Sequence, residues 1–222
     1  MPARSERVLT VAVALAALLA IAAPGTARAG AMEEDFAIAV TNDRAGKVKE
    51  LLARGVDPNS VDAIGEPALV AAARAGNLST IQVLLAARAN VDARSKTGDT
   101  AIMMAALSGN LAVVKVLRAG GASLENAGGW TALIYAATGG HDAIAGYLLA
   151  EGANVNAPSP NGTTALMMAV REARGSTVEL LIARGADVNR RNQNGASALD
   201  WALRGNETKM AEQLRRAGAT AN

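Results

Sequence analysis

Apolar residues fall along this chain in short blocks, each closed by glycine or a polar turn. The stretch from Lys96 to Asn126 shows the pattern. Lys96-Thr97-Gly98-Asp99 is polar with a glycine and predicts a tight turn. Thr100 follows, where its hydroxyl can cap a helix N-terminus. Residues 101–107 are apolar and predict a helix of about two turns. Ser108-Gly109-Asn110 breaks it. Residues 111–118 then carry Leu111, Val114 and Leu117 every three positions, the spacing of a helix with one buried face. Gly120-Gly121 stops that helix, and Ser123-Leu124-Glu125-Asn126 runs extended into the next turn. Asn161-Gly162 and Asn194-Gly195 are hairpin-turn dipeptides at matching places. The predicted unit is helix, turn, helix and a protruding hairpin.

The unit repeats. Gly98-Asp99-Thr100-Ala101-Ile102 returns as Gly129-Trp130-Thr131-Ala132-Leu133, Gly162-Thr163-Thr164-Ala165-Leu166 and Gly195-Ala196-Ser197-Ala198-Leu199, with a looser copy at Gly65-Glu66-Pro67-Ala68-Leu69. The glycines step by 33, 31, 33 and 33 residues. A second phrase keeps the same beat through Leu51, Leu84, Leu117, Leu148, Leu181 and Leu214. One loop, between Ala122 and Thr131, is two residues short and accounts for the step of 31. A fixed period of this size means stacked supersecondary units, in which each unit buries apolar surface against both neighbours. Such a stack has no obligatory catalytic cleft, so the period favours binding over chemistry.

These phrases resemble the ankyrin-repeat family. Gly-Ala-Asn-Val-Asn at 152–156 and Gly-Ala-Asp-Val-Asn at 185–189 are close to that family's consensus, and Gly140-His141 matches its Gly-His turn. Departures are equally clear. The signature proline is replaced by Ala101, Ala132, Ala165 and Ala198. The signature histidine is replaced by Val70, Met103, Ile134, Met167 and Asp200. Pro67 stands where the capping hydroxyl belongs. The resemblance implies an all-α ankyrin-repeat solenoid of helix-turn-helix units with protruding β-hairpin loops. It covers residues 32–222 as six repeats, at about 32–62, 63–95, 96–126, 127–159, 160–192 and 193–222. Gln213 and Arg215 replace the aliphatic residues of earlier units, as a solvent-facing terminal repeat requires. Glu33, Glu34 and Asp35 are expected to precede the first helix, where acidic groups favour its dipole.

The N-terminus has a different character. Arg4 and Arg7 precede an uncharged apolar run over residues 8–23, and Ala27-Arg28-Ala29 offers small residues at signal-peptidase spacing. That order reads as a secretory signal peptide over residues 1–31, cleaved after Ala29 or Ala31. Its rival is a retained membrane anchor, but the apolar run spans only ~24 Å as a helix against the ~30 Å of a hydrocarbon core. The expected location is therefore periplasmic or secreted, with no membrane association after the signal is removed. Arg4, Arg7 and Arg28 against Glu6 put a net +2 in this leader, which equals the +2 of the whole chain. The remainder is neutral, so no clustered basic surface points to nucleic acid as a partner. There is no cysteine, hence no disulfide framework and no thiol nucleophile.

Candidate chemistry is sparse. The single histidine, His141, is accounted for by its turn. No close-spaced set of His, Asp or Glu suits a metal, and no serine is offered a base, so neither metal, cofactor nor catalysis is expected. Gly128-Gly129 looks like a phosphate loop, but lacks the strand before it and the Gly-Lys-Ser after it, so a hairpin turn fits better. The pairs Met103-Met104 and Met167-Met168 read as core filling, and Tyr135, Tyr147 and Trp201 as packing residues. Trp130 stands apart. Its equivalents are Glu66, Asp99, Thr163 and Ala196, so the place does not demand an apolar side chain. In ankyrin-like proteins that place faces the concave surface. The resemblance extends this face by register to hairpin residues Lys96, Thr97, Asn161, Gln193 and Asn194. It adds the first-helix ends Arg74, Leu107, Thr138, Arg171, Glu172 and Arg204. The mixture is polar, of both signs, around a small apolar centre, which suits a protein partner. The functional expectation is a monomeric, non-enzymatic interaction module or scaffold that binds a partner protein there. A membrane-tethered scaffold with an uncleaved leader and a small-molecule groove are the alternatives.

Overall fold

The computed structural model describes residues 24–126 and 129–220. Within them twelve helices fall into six pairs: α1 Pro24–Thr41 with α2 Ala45–Ala53, α3 Ala68–Ala75 with α4 Leu78–Ala86, α5 Ala101–Leu107 with α6 Leu111–Ala119, α7 Ala132–Gly139 with α8 Asp142–Ala150, α9 Ala165–Arg171 with α10 Gly175–Ala183, and α11 Ala198–Arg204 with α12 Thr208–Arg216. The odd-numbered helices pack side by side in one layer. The even-numbered helices form a second layer, each against the partner of its own pair. Helices of seven to nine residues are too short to persist alone in water, so packing between units supplies their stability.

Composition explains the two layers. The first-layer helices are rich in small residues: Ala72, Ala73, Ala105, Ala106, Ala136, Ala137, Ala169 and Ala202 are all fully buried, which lets neighbouring backbones approach closely. Larger groups, among them Leu69, Ile102, Leu133, Leu166 and Leu199, fill the seam towards the second layer. The periodic leucines Leu51, Leu84, Leu117, Leu148, Leu181 and Leu214 are each wholly buried on the second-layer side. All belong to one continuous apolar core running through the stack.

Three local details differ from the sequence-based expectation. The first helix begins at Pro24, so Glu33, Glu34 and Asp35 lie inside α1 and do not precede it. The alanine-rich residues ahead of them favour helix and carry it upstream. Most of the expected leader lies outside the described residues, as does Gly128 of the supposed glycine loop. The hairpins are not paired strands. Among the described residues they show only two isolated antiparallel bridges, Val61 with Pro67 and Arg191 with Ser197. Side chains close these turns in place of a ladder. Asp62 Oδ1 accepts from the Ile64 and Glu66 amides at 3.0 and 2.8 Å, and Asn192 Oδ1 accepts from Asn194 and Ala196, both at 3.0 Å. The third difference is at the caps. Thr131, Thr164 and Ser197 accept from the amide three residues on, as expected, but the buried Thr100 hydroxyl finds no partner. Ser197 and Asp200 cap reciprocally, and the Ser197 amide holds the Asp200 carboxyl below the usual carboxylate range. Pro67, held extended, starts α3 at the same register as the other first helices.

Polar side chains stitch each unit to the next. Asn59, Asp92, Glu125, Asn156 and Asn189 accept from the amides of Asn90, Ser123, Asn154, Asp187 and Thr220 at 2.7–3.0 Å. At the turn between paired helices, Asn77, Asn110, His141 and Arg174 each reach back to a carbonyl at the end of the preceding first helix. Glycine is not used at every such turn: Asp43 and Asn206, with φ of 50° and 56°, and an alanine stand at three of the six. Gly76, Gly109 and Gly140 adopt left-handed backbone there, and Ala173 takes the same conformation with φ of 55°. That conformation costs an L-residue roughly 1–2 kcal/mol. Ala173→Gly is therefore expected to raise stability by about 0.5–1 kcal/mol, after the entropic cost of glycine, in urea unfolding. An unchanged or lower midpoint would contradict this.

Candidate functional site

Three register columns run along the face made by the hairpins and the first-layer helices. The first is the position before each helix cap. Glu66, Asp99 and Trp130 are half-buried there, and Ala196 is buried. Thr163, expected to touch a partner, is corrected by its burial. It is only 2 % exposed, because its hairpin lies against the backbone of the next one at Asn192 and Gln193. The second column is Ala71, Met104, Tyr135, Met168 and Trp201. The alanine and methionines are buried core, as expected, while Tyr135 and Trp201 are half-buried. The third is formed by the first-helix ends, where Arg74, Leu107, Arg171 and Arg204 are exposed and Thr138 is half-buried.

Two contact groups lie across three consecutive units of this face, one around Arg74 and one around Tyr135. Arg74 donates through Nε and Nη2 to the Glu66 carboxylate, the Nε contact being 3.1 Å. Tyr135 O–H donates to the Asp99 carboxylate, which also accepts from Thr97 Oγ1 at 2.5 Å. Trp130 lies beside Tyr135, with ring centroids 6.2 Å apart and planes tilted by 56°. Burial pushes the Tyr135 phenol well above its ordinary pKa. The Asp99 contact adds to the rise and the nearby Arg74 charge opposes it. Tyr135 thus stays a proton donor at any physiological pH and holds Asp99 in place. Nothing in the residue pattern assigned Tyr135 this part. The usable signal was an aromatic in a column otherwise filled by alanine and methionine.

The remaining expected residues lie on the same face but are spread out. Lys96, Asn161, Gln193 and Asn194 are exposed at hairpin tips. Gln193 is bound to the neighbouring hairpin, its amide to Asn161 O at 2.9 Å and Nε2 to Pro160 O at 2.7 Å. Arg171 pairs with Glu172 at 2.9 Å. Arg171 and Arg204 flank Trp201 in an open cleft of about 410 Å³ that also includes Glu207. His141 is structural: its Nε2 meets Leu107 O at 2.9 Å and its ring covers Gly109 and Gly139. Tyr147 packs against the core on the other layer with Lys115 Nζ 5.6 Å from its ring centre. Among the described residues no group of three or more His, Cys, Asp or Glu residues is placed to hold a metal ion, and no helix is long and apolar enough to cross a membrane.

Two layers of short paired helices, leucine columns in register and hairpin loops on one side define a helical-repeat protein. The family model of ankyrin repeats, three copies long, matches residues 36–126, 84–159, 120–192 and 151–222, and the chain belongs to the ankyrin-repeat family. An ankyrin repeat domain from Acinetobacter baumannii AYE is similar in structure. The match has a TM-score of 0.72 and 30% identity, and covers 85% of this chain and 100% of that one. No curated protein matched. Ankyrin repeats are generally protein–protein interaction modules.

Proposed function

We propose that this chain is an exported ankyrin-repeat protein that binds a partner protein through its hairpin and first-helix face, as a monomer and without catalysis. The observation that carries the reading is the half-buried Trp130–Tyr135 pair, framed by the Arg74–Glu66 ion pair and by Asp99. Tryptophan, tyrosine and arginine dominate binding hot spots; the two aromatics present large contact area with few rotatable bonds, and arginine adds a planar fork of donors. Here Tyr135 is already fixed by Asp99, so less ordering remains when a partner docks. The outlying Arg171 and Arg204 form a charged rim, which sets association rate and orientation more than affinity. Export rests on the basic start, apolar run and small-residue site of residues 1–31.

The test is capture of the partner by crosslinking in the native envelope, followed by affinity measurement with Trp130→Ala, Arg171→Ala. The double variant is expected to lose about tenfold or more in affinity. Full affinity in a folded double variant refutes the reading. N-terminal sequencing of the mature protein addresses export separately. A start at Gly30 or Met32 supports cleavage, and an intact Met1 favours the tethered alternative.

A further inference from the structure

Two Asn-Gly dipeptides occur in this chain, Asn161-Gly162 and Asn194-Gly195, and both asparagines are exposed at a hairpin tip. An asparagine followed by glycine is open to attack on its side-chain amide by the next backbone nitrogen, because the glycine carries no side chain to block the approach. The attack needs a side chain that can swing and a nitrogen that can leave its hydrogen bond. The two turns share one restraint. Gly162 N donates to Ser159 O at 2.8 Å, and Gly195 N donates to Asn192 O at 2.9 Å.

Their other contacts differ. Asn161 Oδ1 accepts from Ser159 Oγ at 2.6 Å and from the Thr163 amide at 3.2 Å, and Asn161 O accepts from the Gln193 amide at 2.9 Å. Gly162 lies against the next hairpin, with Asn192 Cα 3.1 Å from where a Cβ would stand. Asn194 belongs to the last hairpin, with no further one beyond it among the described residues. Its side chain makes no hydrogen bond among those residues. Asn192 Oδ1 closes the turn instead, accepting from the Asn194 and Ala196 amides, both at 3.0 Å. A Cβ on Gly195 would have nothing within 4 Å. Arg191 Nη1 donates to Gly195 O at 2.6 Å, which anchors that carbonyl and leaves the Asn194 side chain unrestrained.

We propose that Asn194 is a site of spontaneous modification, converting to aspartate and isoaspartate, and that the fold protects the equivalent Asn161. The Gly195 nitrogen gives up its proton to solvent base and bonds to Asn194 Cγ. Nδ2 leaves as ammonia, which closes a five-membered succinimide. Water then adds to one ring carbonyl, and the ring nitrogen takes back a proton. Addition at Cγ gives aspartate on the original main chain. Addition at the main-chain carbonyl gives isoaspartate, whose chain runs through Cβ and Cγ. That product lengthens the backbone by one carbon within the span that Asn192 Oδ1 bridges, so it opens the turn. Both products put a carboxylate at the hairpin tip. The inference goes beyond the binding role and does not depend on it.

The full chain is incubated at mildly alkaline pH, folded and in concentrated urea. Mass-spectrometric peptide mapping follows each asparagine, and chromatographic retention separates isoaspartate from aspartate. In the folded chain Asn194 is expected to convert about tenfold faster than Asn161, because opening the Asn161 turn breaks additional hydrogen bonds. In urea the two rates are expected to converge. Ser159→Ala, which removes a bond to the Asn161 side chain, is expected to speed conversion at Asn161 and leave Asn194 unchanged. Gly195→Ala, which sets a methyl group beside the attacking nitrogen, is expected to slow Asn194 alone. Equal rates at the two sites in the folded chain, or faster conversion of Asn161, overturns the proposal. So does a difference that persists in urea, since local sequence and not the fold would then set it. The urea comparison needs no variant, so it decides the matter even if Ser159→Ala does not fold.

Discussion

Leu117→Ala is expected to cost about 3 kcal/mol of unfolding free energy, near the middle of the range for a buried leucine in a packed core. Leu117 is wholly buried in α6, which packs against α5 and against α4 and α8 on either side. The truncation removes apolar contact from three helices at once. It also falls at an interior unit, where stability passes between neighbours. The unfolding curve is expected to broaden, with a lower apparent slope against urea, as the stack separates into two less coupled halves. Leu214 is equally buried but lies in the terminal unit. Leu214→Ala is expected to melt α11 and α12 early and leave the main transition in place. Urea titration by circular dichroism distinguishes these outcomes. A loss below about 1 kcal/mol for Leu117→Ala would mean that the site collapses to fill the cavity.

Gly162→Ala is expected to destabilise by about 2 kcal/mol or more, against about 1 kcal/mol for Gly195→Ala. Both glycines have left-handed backbone, with φ of 79° and 71°, so both substitutions carry the same conformational cost. Their surroundings differ. A methyl group on Gly162 would sit 3.1 Å from Asn192 Cα and 3.2 Å from Gln193 N, which are backbone atoms of the adjacent hairpin and cannot step aside. At Gly195 nothing lies within 4 Å. The excess at Gly162 measures how tightly consecutive hairpins are apposed. Hydrogen exchange at the Gln193 amide, which donates to Asn161 O at 2.9 Å, should quicken in Gly162→Ala and not in Gly195→Ala. Equal costs at the two sites would show that the hairpins move freely past one another. In that case the hairpin face proposed to bind would not be preorganised.

Much of the fold was legible because each unit restates it. The leucine column and the turn glycines recur in register, and a recurring residue in a stack is explained by the stack. Depth within the hairpin and first-helix face was not legible. Thr163 has the same register as Trp130, yet it is buried beneath the following hairpin. Tyr135 read as filler, yet it holds Asp99 from 36 positions away. Asn161 and Asn194 read alike in sequence, because the contacts that separate them come from the neighbouring hairpin. Lys96, Asn161 and Arg171 lie on the hairpin and first-helix side of the stack but do not join the Trp130 group. Register gives the side, and only packing gives the neighbours.

The sequence by itself determined the period, the pairing of helices and the residues that face the core. These depend on contacts within a unit and between units of like sequence, so the pattern that repeats is the pattern that folds. The tertiary structure alone decided which hairpin side chains stay exposed and which carboxylate takes which donor. Those outcomes depend on atoms supplied by the adjacent unit at its one point of difference. The periodic signal averages such differences away. They are what distinguishes Trp130 from Thr163, and Asn194 from Asn161.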